Sequence, residues 1–163
     1  MNQIEANNKL VNASQKGDIG AIARAIKDGA KIHFEDDAAL RFASENGYAE
    51  VVRLLLEAGA DIHANDDAAL RFAAEKGGAE VVKSLIEAGA NIHVLNDEAL
   101  WLAVKSDCDE VVKVLLDAGA DVYSVIKNEN DLANILASLP SDSEVVQLLD
   151  EAVAKSKPAF LKP

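Results

Sequence analysis

The sequence predicts an all-α solenoid of stacked helical repeats, and two observations carry that prediction. The first is internal repetition. Asp36 to His63, DDAALRFASENGYAEVVRLLLEAGADIH, returns thirty positions later as Asp66 to His93, DDAALRFAAEKGGAEVVKSLIEAGANIH, and again, more altered, as Asn96 to Tyr123. Self-similarity at one fixed period of this size marks units that bury their apolar faces against neighbouring copies. The second is the material for a core. Hydrophobic residues make up 50% of the 163-residue chain but aromatics only 4%, so the core is built from Ala, Val, Leu and Ile in small units, as closely stacked helices require.

The chain divides into a single array over residues 1–154 and an extended tail over 155–163. The first unit, 4–33, is a weakened copy that serves as the N-terminal cap. Leu10, Ala13, Gly17, Ile22 and Ile26 keep the columns of Leu40, Ala43, Gly47, Val52 and Leu56, while Ala21 and Ala25 replace Val51 and Leu55. A terminal repeat has no neighbour on one side, so apolar bulk is trimmed there; Asn7, Asn8, Lys9 and Asn12 are expected to make the same face polar.

Three regular copies follow, 34–63, 64–93 and 94–123, each read as two short helices. In the middle copy the first helix opens after Asp66 and Asp67, whose carboxylates are expected to cap its free amides. Leu70, Ala73 and Ala74 share one face at i, i+3 and i+4. Gly77-Gly78 reverses the chain with left-handed backbone, and Gly89 ends the second helix, which carries Val81, Val82, Leu85 and Ile86. Helices of about ten residues are marginal alone in water, so stacking must supply the stability. In the last regular copy Asp107-Cys108 replaces the glycine turn, and Asp tolerates left-handed backbone better than most residues.

The C-terminal cap spans 124–154. The period stretches there to 34, with Ala103 matching Ala137 and Val111 matching Val145, so SVIKNENDLAN forms a longer connection. The last helix, from about Asp142 to Ala154, has no stopping glycine. Pro158 and Pro163 make the tail extended; its Phe160-Leu161 pair is read as disordered in preference to a docked or ligand segment.

Short helix, glycine turn, longer helix ending in Ala-Gly-Ala-Asp and a lead-out: over Ala43–Asp61, Ala73–Asn91 and Ala103–Asp121 this pattern resembles the ankyrin repeat, and with the caps the resemblance covers nearly the whole chain. The fold is therefore expected to be an ankyrin-like helical repeat solenoid with N- and C-terminal capping repeats. The copies take thirty residues where the family uses about 33. The Thr-Pro-Leu-His segment reads Ala38-Ala39-Leu40-Arg41 and Ala68-Ala69-Leu70-Arg71, so the projecting hairpin should be stunted. The resemblance implies a protein-binding module that holds its partner on the concave face. Carried over column by column, the binding positions are Asp37, Asp67 and Asp97 at the truncated tips and Glu45-Asn46, Glu75-Lys76 and Lys105-Ser106 on the face; Arg41, Arg71 and Trp101, one column near that face, are added as partner-binding candidates.

Composition narrows the partner. With 28 acidic residues against 16 basic the formal net charge is -12, which repels phosphates and argues against nucleic acid and anionic membranes. The expected partner is a protein with a basic surface, met by an acidic concave face. The polar start MNQIEANNKL lacks the apolar core of a signal peptide, and no apolar run is long enough to cross a bilayer. A monomer in the cytoplasm, or delivered into a host cell's cytoplasm, is the expectation.

Residues that could suggest chemistry have structural readings. His33, His63 and His93 form a column, but helices stack about 8–10 Å apart and zinc needs nitrogen at about 2.0–2.1 Å. Each imidazole is instead expected to tie its turn to a neighbouring backbone. Carboxylates flanking the lone Cys108 suppress its thiolate, and the paired aspartates recur in every copy whereas a catalytic pair is needed once. No phosphate loop, zinc cluster or nucleophile elbow is present. No catalytic residue, cofactor or metal is expected, and the chain is not read as an enzyme. The alternative function is a small inhibitor, effector or antitoxin-like protein that blocks an enzyme or mimics acidic nucleic acid. Trp101 has two open readings, a binding anchor or a filler beside the altered Asp107-Cys108 turn. Phe42 and Phe72 are expected to line the seam between copies.

Overall fold

The computed structural model describes residues 2–125, 134, 135 and 137–156. All its regular elements are helices: α1 (Gln3–Lys16), α2 (Ile19–Lys27), α3 (Ala38–Glu45), α4 (Ala49–Glu57), α5 (Ala64–Glu75), α6 (Ala79–Glu87), α7 (Glu98–Lys105), α8 (Asp109–Asp117), the single turn α9 (Val122–Val125) and α10 (Glu144–Ser156). Each odd helix from α1 to α7 pairs with the even helix that follows it. The odd helices then stack α1–α3–α5–α7, and the even ones α4–α6–α8–α10. Odd helices pack on one another more extensively than even ones do, so the first helices form one continuous layer and the second helices another.

The apolar columns explain the stack. Leu40, Leu70 and Leu100 are 0–1% exposed and lie in one continuous core with Leu10, Val52, Val82, Val112, Leu55, Leu85 and Leu115. Burying a Leu side chain contributes about 1.5–3 kcal/mol, and each of these is covered only because the next copy lies against it.

Turn chemistry follows the sequence at most positions. Gly17, Gly47 and Gly77 take φ of 71°, 78° and 77°, and Asp107 fills the same column at 55°, so the left-handed turn survives without glycine. Its carboxylate also accepts a hydrogen bond from the Ser143 hydroxyl, which in turn accepts from the Val145 amide at 3.2 Å. That pair fastens the last described helix to the fourth copy. The helix α10 starts at Glu144 and runs thirteen residues, against nine in α4, α6 and α8, consistent with its missing stop glycine. Most of the long connection and the whole Phe160-Leu161 tail lie outside the described residues.

Helix entry differs from expectation. Asp37 and Asp97 make no side-chain cap to the helices they precede. Instead three consecutive residues turn left-handed at the entry to the first helix of each regular copy, within the first turn of α5 in the middle one: Glu35, Asp36, Asp37; Asn65, Asp66, Asp67; and Leu95, Asn96, Asp97, all with φ between 50° and 58°. A left-handed turn of L-residues costs about 1–2 kcal/mol per residue. This compact turn stands where a longer repeat would project a hairpin, and it rotates the final Asp inward, away from the amides it was expected to cap.

Candidate binding surface

The inward-turned aspartates build a ladder along the array. Asp37, Asp67 and Asp97 are each 4% exposed. Their carboxylates accept the backbone amides of Asp61, Asn91 and Asp121 at 3.0, 2.8 and 3.1 Å. They also meet Nδ1 of His33, His63 and His93, four residues earlier, at 3.1, 3.1 and 2.9 Å. A carboxylate only accepts, so Nδ1 carries the hydrogen in each pair. Each Asp therefore joins the loop before its helix to the loop thirty residues on. The imidazoles hold a side chain and not a neighbouring backbone, as had been expected; the carboxylate holds the backbone.

The N-terminal cap repeats this arrangement in neutral form. Gln3 stands in the histidine column and Asn7 in the aspartate column. Gln3 Nε2 donates to Asn7 Oδ1 at 3.0 Å, and the Lys31 amide donates to the same oxygen at 2.8 Å. Asn7 is thus buried and structural (4% exposed), not part of a polar outer face. A pairing at i and i+4 repeated in four copies was present in the sequence and would have revealed the ladder.

The remaining site residues stay outside. The helix α3 buries Ala38, Ala39, Leu40, Ala43 and Ser44, leaving Arg41, Phe42 and Glu45 on its outer side; α5 and α7 present Arg71, Phe72, Glu75 and Trp101, Leu102, Lys105 in the same way. Asn46 and Lys76 are exposed at the ends of α3 and α5. Phe42, Phe72 and Leu102 are partly buried yet do not join the core. They do not line the seam, because Ala39, Leu40 and Ala43, with their counterparts, already fill it.

Arg41 and Arg71 share a column but differ in role. The Arg71 guanidinium donates to the carbonyls of Asp66 and Asn65, both at 3.0 Å, and to Glu98 of the next copy at 2.9 Å. It clamps the left-handed turn and is a structural bond more than a free anchor. For Arg41 the column of Glu98 holds Ala68, so no carboxylate stands there, and its guanidinium lies over the Phe42 ring at 5.2 Å. Trp101 is 40% exposed, with the Lys105 ammonium 4.9 Å from its ring.

Charge is sorted across the surface. Over 38–46, 68–76 and 98–106 the cations are Arg41, Arg71, Lys76 and Lys105 and the anions Glu45, Glu75 and Glu98. The first helices are nearly neutral in a chain of net charge -12. The acidic surplus expected on this face is not on its helices: exposed Glu35, Asp36 and Asp66 make the adjoining loops acidic, and the rest is spread over the second helices and residues 124–154. On the opposite layer Arg53–Glu80 and Lys83–Glu110 bridge successive copies at 3.5 and 3.3 Å, exposed pairs that contribute at most about 1 kcal/mol each.

Tyr48 and Cys108 act as turn packing. A Cβ on Gly17 would come within 3.0 Å of the Tyr48 ring, and one on Gly77 within 3.2 Å of Cys108 Sγ. Burial, then the charges of Asp107 and Asp109, push the Cys108 thiol above its ordinary pKa. Alkylation by iodoacetamide at neutral pH is therefore expected to be slower than for a free cysteine, with its rise displaced to higher pH. A rate equal to the free thiol across that range would contradict the assignment.

Among the described residues, no group of three or more His, Cys, Asp or Glu is placed to hold a metal ion, and no helix is long and apolar enough to cross a membrane. No curated protein matches the chain. A family model described as ankyrin repeats (3 copies) matches residues 42–126 and 70–156. Ankyrin repeats generally serve as protein–protein interaction modules and are typically non-catalytic. With two helices per copy, the glycine or Asp turn between them and a match across most of its length, the chain belongs to the ankyrin repeat family.

Proposed function

We propose that the protein is a non-catalytic binding module that docks a partner protein on its first-helix surface. The observation that carries this is a row of apolar side chains left outside the core, Phe42, Phe72, Leu102 and Trp101, on the first-helix layer. Aromatic side chains that stay partly wet cost little order to bind and bury large areas when covered, which is why Trp is enriched among binding hot spots. Arg41, Glu45, Asn46, Glu75, Lys76 and Lys105 form the polar rim. Asp37, Asp67 and Asp97 support the surface from beneath, and Arg71 fixes the turn beside it. The loop edge steers a partner with basic residues. A nucleic-acid mimic would need a dense array of like charge, and the near-neutral first helices do not supply one.

Trp101→Ala is expected to weaken partner capture from the native lysate by at least about tenfold, the range of a hot-spot truncation, and to leave helicity and melting temperature close to those of the parent. A lower melting temperature with undiminished capture would assign Trp101 to packing.

A further inference from the structure

Resting on that reading, we infer that the occupant of the first-helix surface is an amphipathic α-helix of a partner protein, lying along the stack. It offers one apolar residue to each copy at a spacing of seven and turns a basic flank to the loop edge. The spacing comes from the array. Phe42, Phe72 and Leu102 hold one column, and Asn12 ends it in the N-terminal cap. Stacked helices lie about 8–10 Å apart. Seven residues of helix rise about 10.5 Å and return to nearly the same face. An extended strand covers that distance in about three residues, but its side chains alternate, so the third points away.

A polyproline ligand also fits the distance, with three residues rising about 9 Å on one face. Its backbone, however, is unbonded, so covering it favours donors beside each apolar contact. Phe42, Phe72 and Leu102 have none, Arg71 is committed to Asn65, Asp66 and Glu98, and the other donors, Arg41 and the Trp101 indole, stand only in the two end copies of the row. A helix brings its own backbone hydrogen bonds and suits an apolar row.

Charge sets the orientation. Exposed Glu35, Asp36 and Asp66 lie at the N-terminal ends of the first helices, whereas the C-terminal ends carry Glu45 and Glu75 beside Lys76 and Lys105 and are balanced. A helix with cations on one flank and uncharged or mixed polar residues on the other satisfies both edges in a single rotational setting.

The test is selection from a displayed library of random peptides about twenty residues long, using the full chain as bait. Selected binders are then measured against Phe72→Ala, Phe42→Ala and the double variant Asp36→Asn, Asp66→Asn. Asn already stands in that column at Asn96, so the last variant keeps the turn. The expected result is enrichment of sequences with apolar residues at i, i+7 and i+14 that become helical when bound. Their affinity should fall about tenfold on Phe72→Ala, and their salt dependence should flatten on the double Asn variant. Binders with apolar residues spaced by two or three would overturn the inference, as would binders unaffected by either Phe substitution, or no enrichment at all. Binders mapping to another face leave the protein-binding reading standing; failure of both library selection and lysate capture removes both.

Discussion

Asp67→Ala is expected to destabilise the array by about 3 kcal/mol, the cost of stranding buried polar groups in a hydrogen-bonded network. The substitution removes the acceptor of the Asn91 amide at 2.8 Å and of His63 Nδ1 at 3.1 Å at once. It also removes the residue type best suited to a left-handed φ of 50°. Asp67→Asn separates these effects. It keeps the backbone preference and the amide acceptor, as Asn7 does in the N-terminal cap, and weakens only the charged contact to the imidazole. Its expected cost is about 1 kcal/mol, an ordinary net hydrogen bond. Urea unfolding of the three proteins checks the order. If Asp67→Ala and the parent share a midpoint, the ladder contributes nothing and the loops are held by packing alone.

Leu70→Ala carries the other large effect, about 4 kcal/mol, within the range for truncating a fully buried Leu that leaves a cavity. Leu70 is 0% exposed at the centre of the row Leu40, Leu70, Leu100. In a one-dimensional array each unit touches only its neighbours, so damage at the centre weakens the interfaces on both sides. The denaturant slope is therefore expected to fall with the midpoint, because the N-terminal and C-terminal units begin to unfold separately. The matching change at the edge, Leu10→Ala, has one neighbouring copy to uncouple and should preserve a single steep transition. Equal slopes for both variants would show that the array does not behave as a chain of neighbour contacts.

Much of the fold was legible because the information is local or strictly periodic. The thirty-residue offset, the apolar faces of α5 and α6 and the left-handed Asp107 all follow from residue type and spacing. That Arg41, Glu45, Asn46, Glu75, Lys76, Trp101 and Lys105 form a binding face was implied by the family resemblance and not by spacing; the structure places them on the outer side or at the ends of the first helices. The aspartates were misjudged because capping is judged within one helix, whereas their partners lie 24 residues away in the next loop. Arg71 was counted among the binding positions, yet its fork is filled by Glu98 and by two carbonyls that only a left-handed turn aims at it.

By itself the chain's composition and period determined a stack of paired helices, since apolar stripes this short can be hidden only by identical neighbours. The tertiary structure alone decided which polar side chains are bonds within the stack and which stay on its surface. Asp37, Asp67, Asp97 and Arg71 were placed in the first group by loops that meet thirty residues apart, while Arg41, Glu45, Asn46, Glu75, Lys76 and Lys105 stay on the outer side of the first helices, where Phe42, Phe72 and Trp101 lie outside a core already full without them. Residue type expresses a preference for water or burial, but only the arrangement of neighbouring copies determines which demand is met.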